Sequence, residues 1–183
     1  MHRMSEAIQE ASSEPLMHLI TFDLEKEIKH GIQVSNLAYR TGKMLGLEET
    51  MCHELAVAGI LHDIGKLKEL STFPENDYTD AGQLLGHIMI GAEWVGDAIK
   101  SIDGFPVVLA NELKHCILAH HGELEFGSPK KPALVEALAL SFADNIDAKM
   151  ETFRELLVNV PENDTKWQGY NRFMETNFRR TSV

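Results

Sequence analysis

Cysteine is nearly missing from this chain. Only Cys52 and Cys116 occur among 183 residues. With no CxxC pair there is no disulfide framework, and the thiols read as reduced ones in a cytosol. Six prolines and 13 glycines leave little room for a long disordered linker. Long apolar runs are also missing: none approaches the roughly 18 residues of a membrane span, and the N-terminus lacks a signal-peptide core. The expectation is a cytoplasmic protein with no membrane partner. Positive charge is in short supply, with 17 Lys and Arg against 28 Asp and Glu and a net charge of −11. That weighs against a broad basic face gripping nucleic acid through many phosphates. It leaves open a phosphate at a metal site, where the metal supplies the positive charge and carboxylate ligands add to the acidic count.

What is present is ordinary globular material, 44% hydrophobic and 25% charged, long enough for one domain with a sizeable core. Apolar spacing is helical almost throughout, and β-branched alternation is scarce. The pattern predicts a short helix before Thr21 and a long one over about Leu24–Leu45 that stops at Gly46. A third runs over about Glu48–Gly65. "STFPENDYTDAG" reads as a loop, followed by a helix over Gly82–Ile102 that "DGFP" breaks. A helix from Pro106 to His121 stops at Gly122. "GELEFGSPKKP" is a loop, and a helix over about Ala133–Leu157 closes the bundle. The expected fold is one all-α domain over 1–183, with its core at about 22–160. The tail, 161–183, is expected to lie on or near that core.

Several of these helices carry chargeable side chains on their apolar stripes. In "ILHDIGK", His62 follows Leu55 and Ala58, while Asp63 follows Ala56 and Gly59, and Ile60, Leu61 and Ile64 are expected to anchor the pair. His30 lines up with Val34, Leu37 and Ala38. His87 shares a stripe with Leu84, Gly91 and Trp94. His120 and His121 end a helix whose inner residues include Leu113, Cys116 and Ile117, and Asp144 sits four residues after Leu140. Burying five imidazoles and two carboxylates unpaired would cost several kcal/mol at least, and no matching inward Lys or Arg set is visible. Divalent cations answer the need. Imidazole and carboxylate donors suit Mn, Fe, Co or Zn, and the lack of thiolates argues against a structural zinc. Seven candidate ligands are too many for one four-coordinate ion but fit two six-coordinate ions.

The order His30, His62-Asp63, His87, His120-His121, Asp144 resembles the HD superfamily of metal-dependent phosphohydrolases. "LHDIGKLKELS", "LLGHIMIG", "ILAHHGELEFGSPKKP" and "DNIDAKM" are similar to the HD domain of bacterial 3′-5′ exoribonucleases of the YhaM type, and "WQGYNRF" to the end of that family. The likeness spans roughly Lys29–Phe173. Those enzymes also carry an N-terminal OB-fold that tracks single strands. The twenty-odd residues before the first long helix are too few for such a barrel, so the expected substrates are short or weakly held.

The resemblance implies that His30, His62, Asp63 and Asp144 hold one ion. It gives the second to His87, His120 and His121, with Asp63 bridging and catalytic. It implies hydrolysis of a phosphodiester by an activated water. Lys66, three residues after Asp63, is the candidate for touching a non-bridging phosphate oxygen, against the plainer reading of a solvated helix-end lysine. Lys130 and Ser128, on the loop after the histidine doublet, are further candidates for binding substrate. Asp147 is read as a group supporting the ligands. His115, Trp94 and Phe126 are read as packing or surface residues, and Arg179-Arg180 as part of a solvated tail. The expected partner is a nucleotide or a short single-stranded nucleic acid, and a homo-oligomer is left open. The competing functions are a nucleotide phosphohydrolase, a di-iron oxygenase and a non-catalytic interaction module.

Overall fold

The computed structural model describes residues 14–71, 77–172 and 174–182, with side chains from residue 25 onward. Helices dominate: α1 (Glu14–Met44), α2 (Glu49–Leu61), the single turn α3 (Lys66–Glu69), α4 (Asp80–Lys100), α5 (Val107–Ala119) and α6 (Val135–Leu157). A 3-10 turn at Leu124–Phe126 lies between α5 and α6, and two short paired strands, β1 (Tyr170–Asn171) and β2 (Thr176–Asn177), close the chain. Among the described residues no helix is long and apolar enough to cross a membrane. Both cysteines are buried and unpaired.

The core is built from small side chains. Val34 and Ala38 of α1 meet Leu55 and Ala58 of α2, Cys116 and Ala119 of α5, and Ala137, Leu140 and Ala143 of α6. Alanine-rich stripes let helix axes approach closely, and close axes can bring side chains from four helices to one point. A second cluster joins Ala92 and Val95 of α4 to Ile117 of α5, with Leu61 and Ile64 packed against it.

Several boundaries differ from the periodicity-based expectation. The expected break near Thr21 is absent, because α1 runs unbroken from Glu14; anything before that lies outside the described residues. The helix expected over Glu48–Gly65 ends at Leu61, and residues 62–65 form a turn before α3. The loop after it is closed by a bridge between Leu70 and Tyr78, and residues 72–76 lie outside the described set. Helix α4 begins two residues earlier than expected and is kinked at Gly86, whose φ of 72° is open to glycine at no steric cost. Leu84, on the far side of the kink, is 83% exposed, and Trp94 is exposed too, so neither shares the inward face of His87. Ile60, expected to anchor the His62-Asp63 pair, faces outward as well.

The tail is not free. Arg180 donates from Nε to the Val160 carbonyl at 2.9 Å and from its guanidinium to the Leu157 carbonyl at 2.6 Å. Leu157 is the last residue of α6 and Val160 lies just beyond it, so the guanidinium clasps carbonyls where the helix ends. Arg179 lies over the Trp167 ring at 5.4 Å. Of the arginine pair, read from sequence as part of a solvated tail, Arg180 ties the tail to the end of α6, while Arg179 packs within the tail.

Candidate metal centre

Two adjacent pairs, His62-Asp63 and His120-His121, occupy equivalent places: each begins at the C-cap of a helix, α2 and α5 respectively. The last carbonyls of a helix have no N–H partner of their own. In both cases the first histidine uses one. His62 Nδ1 donates to the Gly59 carbonyl at 2.7 Å, and His120 Nδ1 donates to the Ile117 carbonyl at 2.7 Å. Both side chains are fully buried. The turn after α2 lies against α4 so closely that a Cβ on Gly65 would collide with the His87 carbonyl. Only glycine permits that approach, and it brings α4 within reach of Asp63.

The other three imidazoles are also held through Nδ1. His121 donates to the Phe126 carbonyl at 2.8 Å, made available by the loop folding back after Gly122. His30 pairs with Asp147 Oδ2 at 2.8 Å, and His87 with Glu69 Oε1 at 3.1 Å. With every Nδ1 committed outward, each ring turns its Nε2 toward the centre, the atom a neutral imidazole would offer to a cation.

The centre is where the carboxylates lie. Asp63 Oδ1 is 3.3 Å from His87 Nε2 and 3.5 Å from His120 Nε2, while Oδ2 is 3.3 Å from His62 Nε2 and 3.6 Å from His30 Nε2. Its two oxygens therefore face two different groups of imidazoles. Asp144 Oδ1 is 3.1 Å from His30 Nε2 and 3.6 Å from His62 Nε2. Lys66 Nζ sits 2.7 Å from Asp63 Oδ2 and 3.1 Å from Glu27 Oε2.

This arrangement calls for positive charge. Burial works against a charged His62, yet the facing Asp144 and Asp63 carboxylates outweigh it and push the imidazole up to about 10. Burial would raise Asp63 and Asp144, yet the surrounding imidazoles, with Lys66 for Asp63, hold both well below the usual carboxylate range. Four buried atoms, Nε2 of His62, His87 and His120 and Oδ1 of Asp63, have no hydrogen-bond partner among the described residues. Each such atom costs about 1–3 kcal/mol if left unsatisfied. Among the described residues, donor atoms fall into three sets close enough to share an ion: His30-His62-Asp144, His87-His120-His121, and His62-Asp63-His120. Oriented imidazole lone pairs and charged carboxylates around one space fit divalent cations.

All seven ligand-type residues expected from the sequence are thus brought together, and Lys66 joins them. Ser128 is not available to a substrate: it is buried, and its hydroxyl donates to the Leu118 carbonyl at 3.0 Å. Lys130 is exposed and does not line the cleft that opens on the centre. His115 accepts the Ala133 N–H at 2.9 Å, a role in packing the loop before α6. The sequence reading missed Glu69, Lys26 and Lys29. Lys26 and Lys29 line the cleft of about 620 Å³ between α1 and α6, where Lys26 Nζ pairs with Glu155 Oε1 at 2.7 Å.

A family model described as the HD domain matches residues 28–149, well over half of the chain. The chain belongs to the HD-domain family. Among curated proteins it is similar to the 3′-5′ exoribonuclease YhaM of Bacillus velezensis, 45% identical over 127 residues, covering 64% of this chain and 40% of that protein. The enzyme of the same name from Bacillus subtilis is 42% identical over 137 residues, covering 69% and 43%. The chain therefore spans about two fifths of the length of these relatives. Among solved structures, the HD domain of the L. monocytogenes phosphodiesterase PgpH aligns with a TM-score of 0.49 at 20% identity, covering 76% of this chain and 75% of that one.

Proposed function

We propose that this HD domain is a metal-dependent phosphodiesterase that shortens single-stranded nucleic acid from its 3′ end. His30, His62, Asp63 and Asp144 would hold one divalent ion, and His87, His120 and His121 a second, with Asp63 shared. The observation that carries this reading is the division of Asp63: one carboxylate oxygen faces His62 and His30, the other His87 and His120. The names of the relatives, 3′-5′ exoribonucleases, support the choice of substrate.

Divalent ions bound in such a site supply Lewis acidity, making water nucleophilic near neutral pH and offsetting charge that develops on phosphate oxygens. The chain's own residues supply geometry and exclusion. The five Nδ1 contacts fix the rings, so little reorganisation remains to be done when substrate arrives. Lys66 remains a cation: burial opposes its charge, but Asp63 and Glu27 outweigh that and raise its pKa above the ordinary lysine value. Its ammonium would meet a non-bridging phosphate oxygen as a point charge. Lys26 and Lys29, on the cleft wall, are two further cations within the same opening.

A second reading, hydrolysis of a small nucleotide, draws on the cleft's other wall residues. Glu25, Glu151 and Glu155 line it, which disfavours a long phosphate backbone running that way. The deciding experiment gives manganese-loaded protein a 5′-labelled RNA of about ten nucleotides and, separately, a panel of nucleotides. A ladder shortening from the 3′ end supports the phosphodiesterase. Released phosphate with the RNA intact would replace it with the second reading.

A further inference from the structure

Glu69 is a buried carboxylate with no place in the ligand set. It ends α3, the single turn that follows the His62-Asp63 pair, in a stretch ("KLKEL") that looks solvated. Yet one of its oxygens, Oε1, accepts two hydrogen bonds from the same residue: the His87 backbone N–H at 2.9 Å and His87 Nδ1 at 3.1 Å. His87 follows Gly86, where α4 is kinked, so its N–H opens the second segment of that helix. The carboxylate therefore caps the restarted helix and orients the imidazole with one atom.

The backbone around Glu69 is itself fixed. Thr79, the N-cap of α4, donates its N–H to the Glu69 carbonyl at 2.9 Å and its hydroxyl to the Lys68 carbonyl at 2.8 Å. The path from Asp63 to His87 is thus short and rigid: the turn 63–65, α3, Glu69, then the ring. His87 Nε2 ends 3.3 Å from Asp63 Oδ1. Of the two groups of imidazoles that share Asp63, the one containing His87 is set at the correct distance by this carboxylate.

We propose that Glu69 is a positioning residue for the metal site formed by His87, His120 and His121, holding His87 with Nδ1 protonated and Nε2 free to bind. The proposal rests on the metal reading above. It predicts a selective effect. Losing an outer carboxylate of this kind typically weakens metal binding about 10- to 100-fold, and here the loss falls on one ion and spares the one at His30, His62 and Asp144.

The test compares wild type, Glu69→Gln and Glu69→Ala by calorimetric titration with manganese and by nitrogen-15 NMR of the histidine rings in metal-free protein. Glu69→Gln keeps an acceptor for the His87 N–H and hence the helix start; it separates orientation by a charge from folding. Wild type should bind two ions and show a slowly exchanging His87 Nδ1–H resonance. Glu69→Ala should lose that resonance and bind the second ion about 10- to 100-fold more weakly, with the first ion unchanged. Glu69→Gln should unfold within a few degrees of wild type and fall between the two in affinity for the second ion. Persistence of the resonance in Glu69→Ala, or an equal loss of both ions that tracks thermal stability, would overturn the proposal. Wild type that takes up no manganese while its Nδ1–H resonance still depends on Glu69 would instead overturn the metal reading.

Discussion

The histidines of this site are oriented in two different ways. His62, His120 and His121 give their Nδ1–H to backbone carbonyls, two of them at helix ends. His30 and His87 give theirs to the carboxylates of Asp147 and Glu69. The first kind costs the chain no additional residue, because helix termini expose carbonyls that need donors. The second requires a carboxylate brought in from another element, 117 and 18 residues away in sequence. A charged acceptor also makes the ring a stronger ligand. Each of the two groups of imidazoles around Asp63 therefore contains one ring backed by a carboxylate, and the rest are backed by the main chain.

Substitutions can break or sharpen that comparison. The largest effect is expected at the point both groups share. Asp63→Ala should remove binding of both ions and lower hydrolysis by about a thousandfold or more, with helical content by circular dichroism near wild type; retained activity would remove the dinuclear model. Next is Lys66→Met, which leaves every imidazole contact in place. It should cut kcat by about a hundredfold while metal binding changes only a few fold, measured by single-turnover assay and titration. Asp147→Asn keeps an acceptor for His30 but not the charge. It should weaken the ion at His30, His62 and Asp144 by about tenfold, the mirror image of the effect at Glu69. The smallest effect is expected far from the centre. Arg180→Ala should cost about 1–2 kcal/mol of stability, read from denaturant unfolding, with both metal affinities unchanged.

The same division explains what could be read without a structure. Residues whose inward placement follows from their own helix were legible: His30 beside Val34 and Ala38, His62 after Leu55 and Ala58, Asp144 after Leu140, each with buried neighbours at helical spacing. The all-α fold followed from the same periodicity. Groups whose role depends on a distant partner were not legible. Glu69 in "KLKELS" has the local signature of a solvated helix charge, and only its bonds across to His87 identify it. Ser128 looked like a loop hydroxyl open to substrate but is spent on Leu118. Gly86 could not be told from a tolerated helical glycine, and its positive φ puts Leu84 on a separate segment from His87. Arg180 looked like tail charge because the carbonyls it meets, at and just beyond the end of α6, lie 20 and 23 residues away in sequence.

The central claim is that Asp63 joins two metal sites. It is tested most directly by counting the ions that metal-free protein takes up from manganese, with the protein freed of loosely bound metal by gel filtration before elemental analysis. The account predicts two ions per chain in wild type and none in Asp63→Ala. Two ions retained by Asp63→Ala, or none in wild type, would contradict it.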